Sequence, residues 1–315
     1  MSDIVTNVTD KGVIDGQEVT IFEQGAILGY TPELVVDQVA TVRRFCVNAK
    51  VVQFPTYTTL TLISAAITDG EDVATVAMAD STYTLTPLEY GNVITLQKSA
   101  NIESGGAALL AAGELIGRNA GASKDKLGMT AAEAFSTTRI YPGSSTSAAT
   151  LTADAVLDRT FANRLNNKLA RLNVPTISGG LYVGIAHDDC LYDLRNDAGT
   201  GGWMDVSKYA DPQSVLRNEV GTANGIRWLR SSNVTVTDAS WGTTGDSYKI
   251  NVFGFNAFGL AEAVDGAVQI IIKEKGDPLN RFVTIGWKWN GVYGVLDTAN
   301  MVQGIVASSI GDNAA

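Results

Sequence analysis

Two β-rich runs between Ala49 and Gln97 constrain this chain more than any other feature. KVVQFPTYTTLTLI and STYTLTPLEYGNVITLQ are rich in β-branched and aromatic residues and alternate in places, the pattern of half-buried strands. Between them Thr68-Asp69-Gly70-Glu71-Asp72 is an acidic segment containing Asp-Gly, a strong turn dipeptide. The spacing predicts a long two-stranded excursion. A lone hairpin of that length is marginal in water, so it must lie against something, on its own chain or on a neighbour. Two ordinary strands of a sheet are the alternative.

The remainder is large enough to supply a core. A chain of 315 residues buries roughly three quarters of its unfolded surface, as one extended domain or two compact ones. Charged residues make up only 18%, below the usual ~25%. Together with many Thr, Ala, Val and Gly, this suggests a surface covered by something other than water. A self-assembling subunit fits, and so does a plain β-rich protein. The formal net charge of −10 makes the chain a poor candidate for nucleic-acid binding, which needs clustered Lys and Arg, and predicts that it stays away from free polyanions. Cys46 and Cys190 are the only cysteines, too few for a disulfide framework, and reduced thiols in a cytoplasmic compartment are expected. The opening MSDIVTNVTDKG has no basic stretch followed by an apolar run, so no secretory signal is expected. No window reaches the ~18 apolar residues of a membrane span.

The first residues, Met1 to Gly29, are polar and weakly periodic and read as an extended arm. Thr31-Pro32-Glu33 then predicts a helix start, with ELVVDQVATVRRF placing Leu34, Val35, Gln38, Val39 and Val42 on one side. From Asn101 to Phe135 an Ala-rich pattern steps through Ala107, Leu110, Ala111, Glu114 and Leu115 and resumes at Lys126, Met129, Ala132 and Ala134. It predicts one long bent helix or two in series, weakened at Gly117, Gly121 and Gly128 by roughly 1 kcal/mol each. Thr150 to Asn173 is the clearest helix. Thr152 is its expected cap, Asp154 lies in its first turn, and Val156, Leu157, Phe161, Leu165, Leu169 and Leu172 form an apolar stripe. Pro175 stops it. Near the end, VQIIIKEKGDPLNRFVTIGWKW predicts a hairpin closed at Lys275-Gly276-Asp277-Pro278, and VYGVLDTANMVQGIVA a last strand.

The stretch Ser178 to Asn233 is where a catalytic site would be sought. It holds the sole histidine and one cysteine, in LYVGIAHDDCLYDLR, and later VGTANGIRWLRSSN. His187 with Asp188 and Asp189 is the one constellation with metal or acid–base potential. Sequence neighbours point in different directions, however, and cannot complete a tetrahedral site alone. A strand-end turn in which an Asp caps the next helix accounts for the same residues. No G-x-S-x-G elbow, Walker loop or dinucleotide fingerprint occurs, and Cys190 has no evident orienting partner for His187. Catalytic, cofactor-binding and metal-ligating residues are therefore all assigned as none.

In their order these parts resemble the major capsid protein of tailed bacteriophages with the Hong Kong phage-type fold. Within that group the chain is similar to the phage N-four-like major capsid proteins. Leu181 to Arg195 resembles that family's apolar strand, His-x-Asp turn and Asp-Leu-Arg, with Trp203 following. Val220 to Asn233 resembles its Val-Gly-x-x-x-Gly-Ile-Arg segment ending in Asn. Asp188 departs from the family, which has Pro there.

The resemblance implies an α+β fold in five parts: an N-terminal arm and short helix (1–48), an extended loop (49–98), a peripheral domain with spine helix and second helix (99–177), an axial domain (178–259), and a peripheral hairpin with the C-terminal strand (260–315). It implies pentamers and hexamers closing an icosahedral head around double-stranded DNA, without sequence-specific binding. The further partners are a separate scaffolding protein or none, with portal and decoration proteins, and no membrane. The place is the virion, assembled in the host cytoplasm. Ile67, Asp69, Glu71, Val73 and Val76 in the extended loop are the candidate intersubunit contacts. Neither Lys50 nor Lys98 sits near the loop tip, so no covalent crosslink is carried over. An encapsulin-like shell around protein cargo is the alternative within the fold, and a soluble metal-dependent hydrolase using His187 and Asp189 the alternative outside it.

Overall fold

A computed structural model of the chain describes residues 35–45, 51–57, 75–103, 107–134, 138–177, 179–196, 219–241, 245–263, 268–274 and 281–310, with 60, 63, 64, 66, 70 and 279 between them. Among these residues the strands form two large sheets and one small one. The small sheet pairs β2 (Val52–Tyr57) with β3 (Asp80–Leu85), antiparallel. A five-stranded sheet contains β1 (Thr41–Phe45), β4 (Leu88–Gln97), β11 (Phe258–Ala263), β12 (Gln269–Glu274) and β13 (Phe282–Val295). A seven-stranded sheet contains β5 (Arg139–Ile140), β6 (Tyr182–Ala186), β7 (Glu219–Ala223), β8 (Ile226–Arg230), β9 (Val236–Trp241), β10 (Gly245–Phe253) and β14 (Met301–Val306). Four helices accompany them: α1 (Lys98–Glu103), α2 (Ala107–Glu133), α3 (Arg159–Arg171) and α4 (Asp188–Asn196).

The seven-stranded sheet is covered on both faces, and its sequence says so. Every residue of β6 and β14 is buried, as expected for strands with no solvent side. Alternation sorts them. Tyr182 and Ala186 of β6, Ile226 and Trp228 of β8, Ile250 and Val252 of β10, and Val302 and Val306 of β14 pack with Phe161, Leu165 and Leu169 of α3 and Leu191 and Leu194 of α4. Val183, Ile185, Leu229 and Phe253 face the other way, toward Ile116, Ala120 and Met129 of α2. Gly184 is required by this packing, because a Cβ there would stand 2.8 Å from the Trp228 ring. The β7–β8 hairpin turns through Asn224 and Gly225, both at positive φ, the geometry a two-residue hairpin needs.

The same α2 also covers the five-stranded sheet, against Ile285, Trp287, Trp289 and Tyr293 of β13. Residues 283–288 of β13 pair with both β12 and β4, so those two strands occupy opposite edges. A 27-residue helix therefore forms the spine between two sheets. It runs unbroken, with the shorter α1 ahead of it.

Buried polar residues lock that junction. Lys124 and Asp125 are 4% and 0% exposed. The Asp125 carboxylate accepts the backbone N–H groups of Val35 (2.9 Å) and Val36 (3.0 Å) on one oxygen, and Ser231 Oγ (3.1 Å) and Asn233 Nδ2 (2.8 Å) on the other. Lys124 Nζ lies 2.8 Å from Asp37 and 3.7 Å from Glu262 of β11. Its ammonium also sits 5.3 Å from the Trp289 ring centre. Tyr293 donates its hydroxyl to Asp37.

Several expectations are corrected. The segment expected to continue as a helix through Phe45 is a single 3-10 turn, Val36–Gln38, followed by β1. Asp125 fixes its start, and the β-branched Thr41-Val42 run then pairs in parallel with Gly259 to Ala263. Gln38 and Val42 are exposed while Val35, Val36 and Val39 are buried. The second half of the expected excursion is split at Thr86-Pro87. Asp80–Leu85 pairs with β2, but Leu88–Gln97 leaves the hairpin because β13 offers it a ten-residue antiparallel edge. On α2, the positions Ala107, Leu110, Ala111, Glu114 and Leu115 form the exposed side. The buried side carries Ile116, Gly117, Ala120, Gly121, Gly128 and Met129. A Cβ on Gly128 would lie 2.9 Å from Val36, so this glycine permits close approach of the 3-10 turn.

The clearest helix starts later than its apolar pattern suggests. Asp158, not Thr152, is the cap, accepting Phe161 N–H at 2.7 Å; Asp154 lies upstream, and Leu172 is exposed. The final apolar run is two strands in different sheets. Val292 to Val295 end β13, and after a 3-10 turn at Thr298–Asn300 the chain enters β14. Thus β5, α3 and β14 group with β6 to β10 although they lie outside 178–259. The β12–β13 hairpin forms as expected, with Lys275 to Pro278 outside the described residues, as are Thr31 to Leu34.

Asp125→Ala orphans two buried backbone N–H groups and two side-chain donors. The subunit is expected to lose about 3 kcal/mol, read as a lower urea midpoint at unchanged m-value.

Candidate assembly surface

The His187 region was the first place to look for chemistry. His187 ends β6 and itself caps α4: its carbonyl accepts Leu191 N–H, and its Nδ1 accepts Asp189 N–H at 3.3 Å. The cap is therefore His187 rather than an aspartate. The same Nδ1 lies 3.1 Å from Asp189 Oδ2, which accepts the Tyr248 hydroxyl at 2.9 Å. These bonds tie the strand end to β10. Burial, and then the hydrogen bond and charge of Asp189, push the Tyr248 hydroxyl far above its usual range. Burial, with Asp193 and Asp189 adding to it, raises the Cys190 thiol well above its ordinary value. A thiol so held stays protonated and is a poor nucleophile. Among the described residues no three His, Cys, Asp or Glu side chains converge as metal ligands. The cluster joins the end of β6, the start of α4 and β10.

The β2–β3 excursion differs from everything else in the molecule. Its base is anchored: Val52 and Phe54 pack with Ala261 of β11 and with Leu296, while Tyr83 and Leu85 close the cluster with Val292. Gly294 makes room for Leu85, since a Cβ there would meet Leu85 Cδ2 at 2.4 Å. Arg43 donates to the Gln53 carbonyl and lies over the Phe54 ring, 5.4 Å from its centre. Alternation on β2 keeps Val52 and Phe54 in and Gln53 and Pro55 out.

Beyond that base the described apolar side chains are exposed. Tyr57, Leu60, Ile63, Val76 and Met78 are all exposed, Ile63 at 83%. Each large apolar side chain left in water forgoes roughly 1.5–3 kcal/mol of burial. Of the five residues singled out from the sequence, Val76 is described and is 70% exposed. Ile67, Asp69, Glu71 and Val73 lie outside the described residues. Tyr57, Leu60, Ile63 and Met78 were missed as contacts, though the excess of apolar residues in an unpartnered excursion marks them. Further apolar side chains stand exposed: Leu110 and Leu115 on the outer side of α2, and Leu88 and Val93 on opposite sides of β4. Contiguous exposed apolar surface marks interaction sites on soluble proteins.

A spine helix between two sheets and an anchored projecting hairpin define the α+β Hong Kong phage-type capsid fold. The capsid of Ralstonia phage GP4 matches with a TM-score of 0.73 at 12% identity, over 86% of this chain and 87% of that one. The cyanophage Pam1 capsid matches with a TM-score of 0.59 at 11% identity, over 83% and 86%. A virus-like particle from Pyrococcus furiosus matches with a TM-score of 0.56 at 10% identity, over 91% and 98%. No family model matches the chain, and no curated protein does. At these identities the likeness is one of fold.

Phe54→Ala empties the anchor. A large-to-small change in such a site costs about 3 kcal/mol. Hydrogen exchange at the amides of β2 and β3 is expected to accelerate while those of β14 keep their protection.

Proposed function

We propose that the chain is the major capsid protein of a tailed bacteriophage, forming pentamers and hexamers of an icosahedral head around double-stranded DNA. The observation that carries this is the excursion, held rigidly at its base and apolar along its exposed length. A monomer gains nothing from that design, whereas a neighbour's surface would bury it. The capsid fold of its neighbours supports the same reading. In it, α2 with the five-stranded sheet is the peripheral domain. The seven-stranded sheet with α3 and α4 is the axial domain, and the exposed apolar residues of α2 and β4 meet adjoining copies. The narrower likeness to the N-four-like proteins rests on Leu181 to Arg195 and Val220 to Asn233, which form β6–α4 and β7–β8.

The role is structural and needs no catalytic residue. The partners proposed are other copies of the chain, with separate scaffolding, portal and decoration proteins, assembly in the host cytoplasm and residence in the virion. Ile67, Asp69, Glu71, Val73 and Val76 are proposed as contacts, now joined by Tyr57, Leu60, Ile63 and Met78. An encapsulin-like shell is the second reading, favoured by the match to the Pyrococcus particle. It predicts protein cargo in place of DNA.

Light scattering of the purified chain is expected to report megadalton particles. Deleting Ile67 to Val76 is expected to leave a folded, soluble subunit that forms no shells under negative-stain microscopy. Normal shells from the deletion would remove the excursion from assembly.

A further inference from the structure

One surface runs against the acidic character of the chain. An open cleft of about 640 Å³ lies between α3 and the segment from Thr138 to Thr146. Four cations line it, Arg139, Arg164, Lys168 and Arg171, and its described lining includes no carboxylate. In a chain with 33 acidic and 23 basic residues, that concentration is electrostatically unfavourable unless an anion answers it.

The cations converge from different elements. Arg164, Lys168 and Arg171 lie at i, i+4 and i+7 on α3, one stripe spanning about 10 Å of helix axis. Arg139 comes from β5, where Gln303 Oε1 accepts its Nε–H at 2.9 Å. Gln303 is itself held by the Asn251 side chain and the Glu133 carbonyl, so the Arg139 head is aimed from a rigid base. Arg164 donates one N–H to the Gly143 carbonyl at 3.4 Å and keeps the rest of its five. Favourable placement at a helix C-terminus accounts for Lys168 and Arg171. It does not account for Arg139 or Arg164.

We propose that this cleft is a binding site for phosphate groups. Arg and Lys heads only donate, and the hydroxyls of Tyr141 and Thr146 can donate too. A phosphate answers with oxygens that only accept, and guanidinium forks fit it bidentately. An acidic peptide would bring backbone N–H groups as well, which the four cationic heads cannot accept. The volume is that of a small-ligand site and admits more than one phosphate. The phosphates are either those of a free multivalent anion or those of a nucleic-acid backbone crossing the cleft. The chain's net charge weighs against extended nucleic-acid contact, and the lining of this cleft runs against that balance. The site stands on its own charge and geometry and does not require the chain to form shells.

The test uses the full chain, with inorganic tripolyphosphate and a duplex of about 20 base pairs as probes in parallel titrations. At least one probe is expected to bind. Arg164→Glu with Lys168→Glu is expected to weaken it at least tenfold. Arg164→Gln with Lys168→Gln is expected to weaken it less, with circular dichroism and the melting midpoint matching wild type. Arg230→Glu, four strands away along the sheet, is expected to change nothing. Three phosphate contacts on the duplex would lower affinity about 40-fold between about 50 and about 200 mM salt. Binding of the duplex alone assigns the site to nucleic-acid backbone. Binding of tripolyphosphate, with or without the duplex, assigns it to free multivalent phosphate. The proposal falls if neither probe binds, if the double charge reversal leaves binding intact, or if an oligoglutamate peptide binds more tightly than either probe.

Discussion

A single buried carboxylate holds the two halves of this molecule in register. Asp125 lies in the middle of the spine helix and takes four hydrogen bonds at once. Two come from the turn that leads into β1 of the five-stranded sheet, and two from the turn that leaves β8 of the seven-stranded sheet. A fully hydrogen-bonded buried carboxylate tolerates its desolvation, while a half-satisfied one would not. Alternative packings of either sheet on α2 would strand donors and carboxylate together. The neighbouring Lys124 adds a second demand, since its charge is compensated only when Asp37 and Glu262 both arrive. Buried ion pairs contribute little net stability and favour particular arrangements. Here the arrangement is the relative placement of two sheets.

That rigidity gives the exposed parts their meaning. The seven-stranded sheet is covered by helices on both faces and has its apolar surface spent internally. The five-stranded sheet has α2 on one face, and on the other the base of the hairpin and open apolar residues. Polar satisfaction is concentrated inside, and unsatisfied apolar surface is concentrated on the projecting parts. That imbalance, at a charged content of only 18%, is what self-association as proposed would relieve.

Much of this was legible in the sequence. The stripe Phe161, Leu165, Leu169 and the turn at Asn224-Gly225 are local signals, and the structure follows them. So is the excursion, whose alternation on Val52 and Phe54 survives in the packing. The failures share one cause, which is pairing between distant segments. Thr41 to Phe45 looks helical in isolation because Leu34, Val35, Gln38, Val39 and Val42 fall on one side of a helix, and it becomes a strand where Gly259 to Ala263 offers a parallel edge. Leu110 and Leu115 look like the inner face of α2, but two sheets demand small residues at the closest approach, so Gly117, Gly121 and Gly128 turn inward. Lys124 and Asp125 lie on that same inward face, four residues after Ala120 and Gly121. Their spacing from those small residues was the available sign. Hydrophilic residues in a long helix read as solvent-facing until the partners that bury them are known.

The parallel pairing of β1 with β11 also has a temporal side. Arg44 and Glu262 meet across 218 positions of sequence, and the platform under Phe54 is completed only by Val292 and Leu296. At ribosomal speeds of about 5–20 residues per second, the excursion is synthesised roughly 10–40 s before its support exists. Until then the packing beneath Val52 and Phe54 is incomplete. If the chain assembles as proposed, unfinished or truncated copies lack the finished support, and the order of synthesis would act as an inspection step.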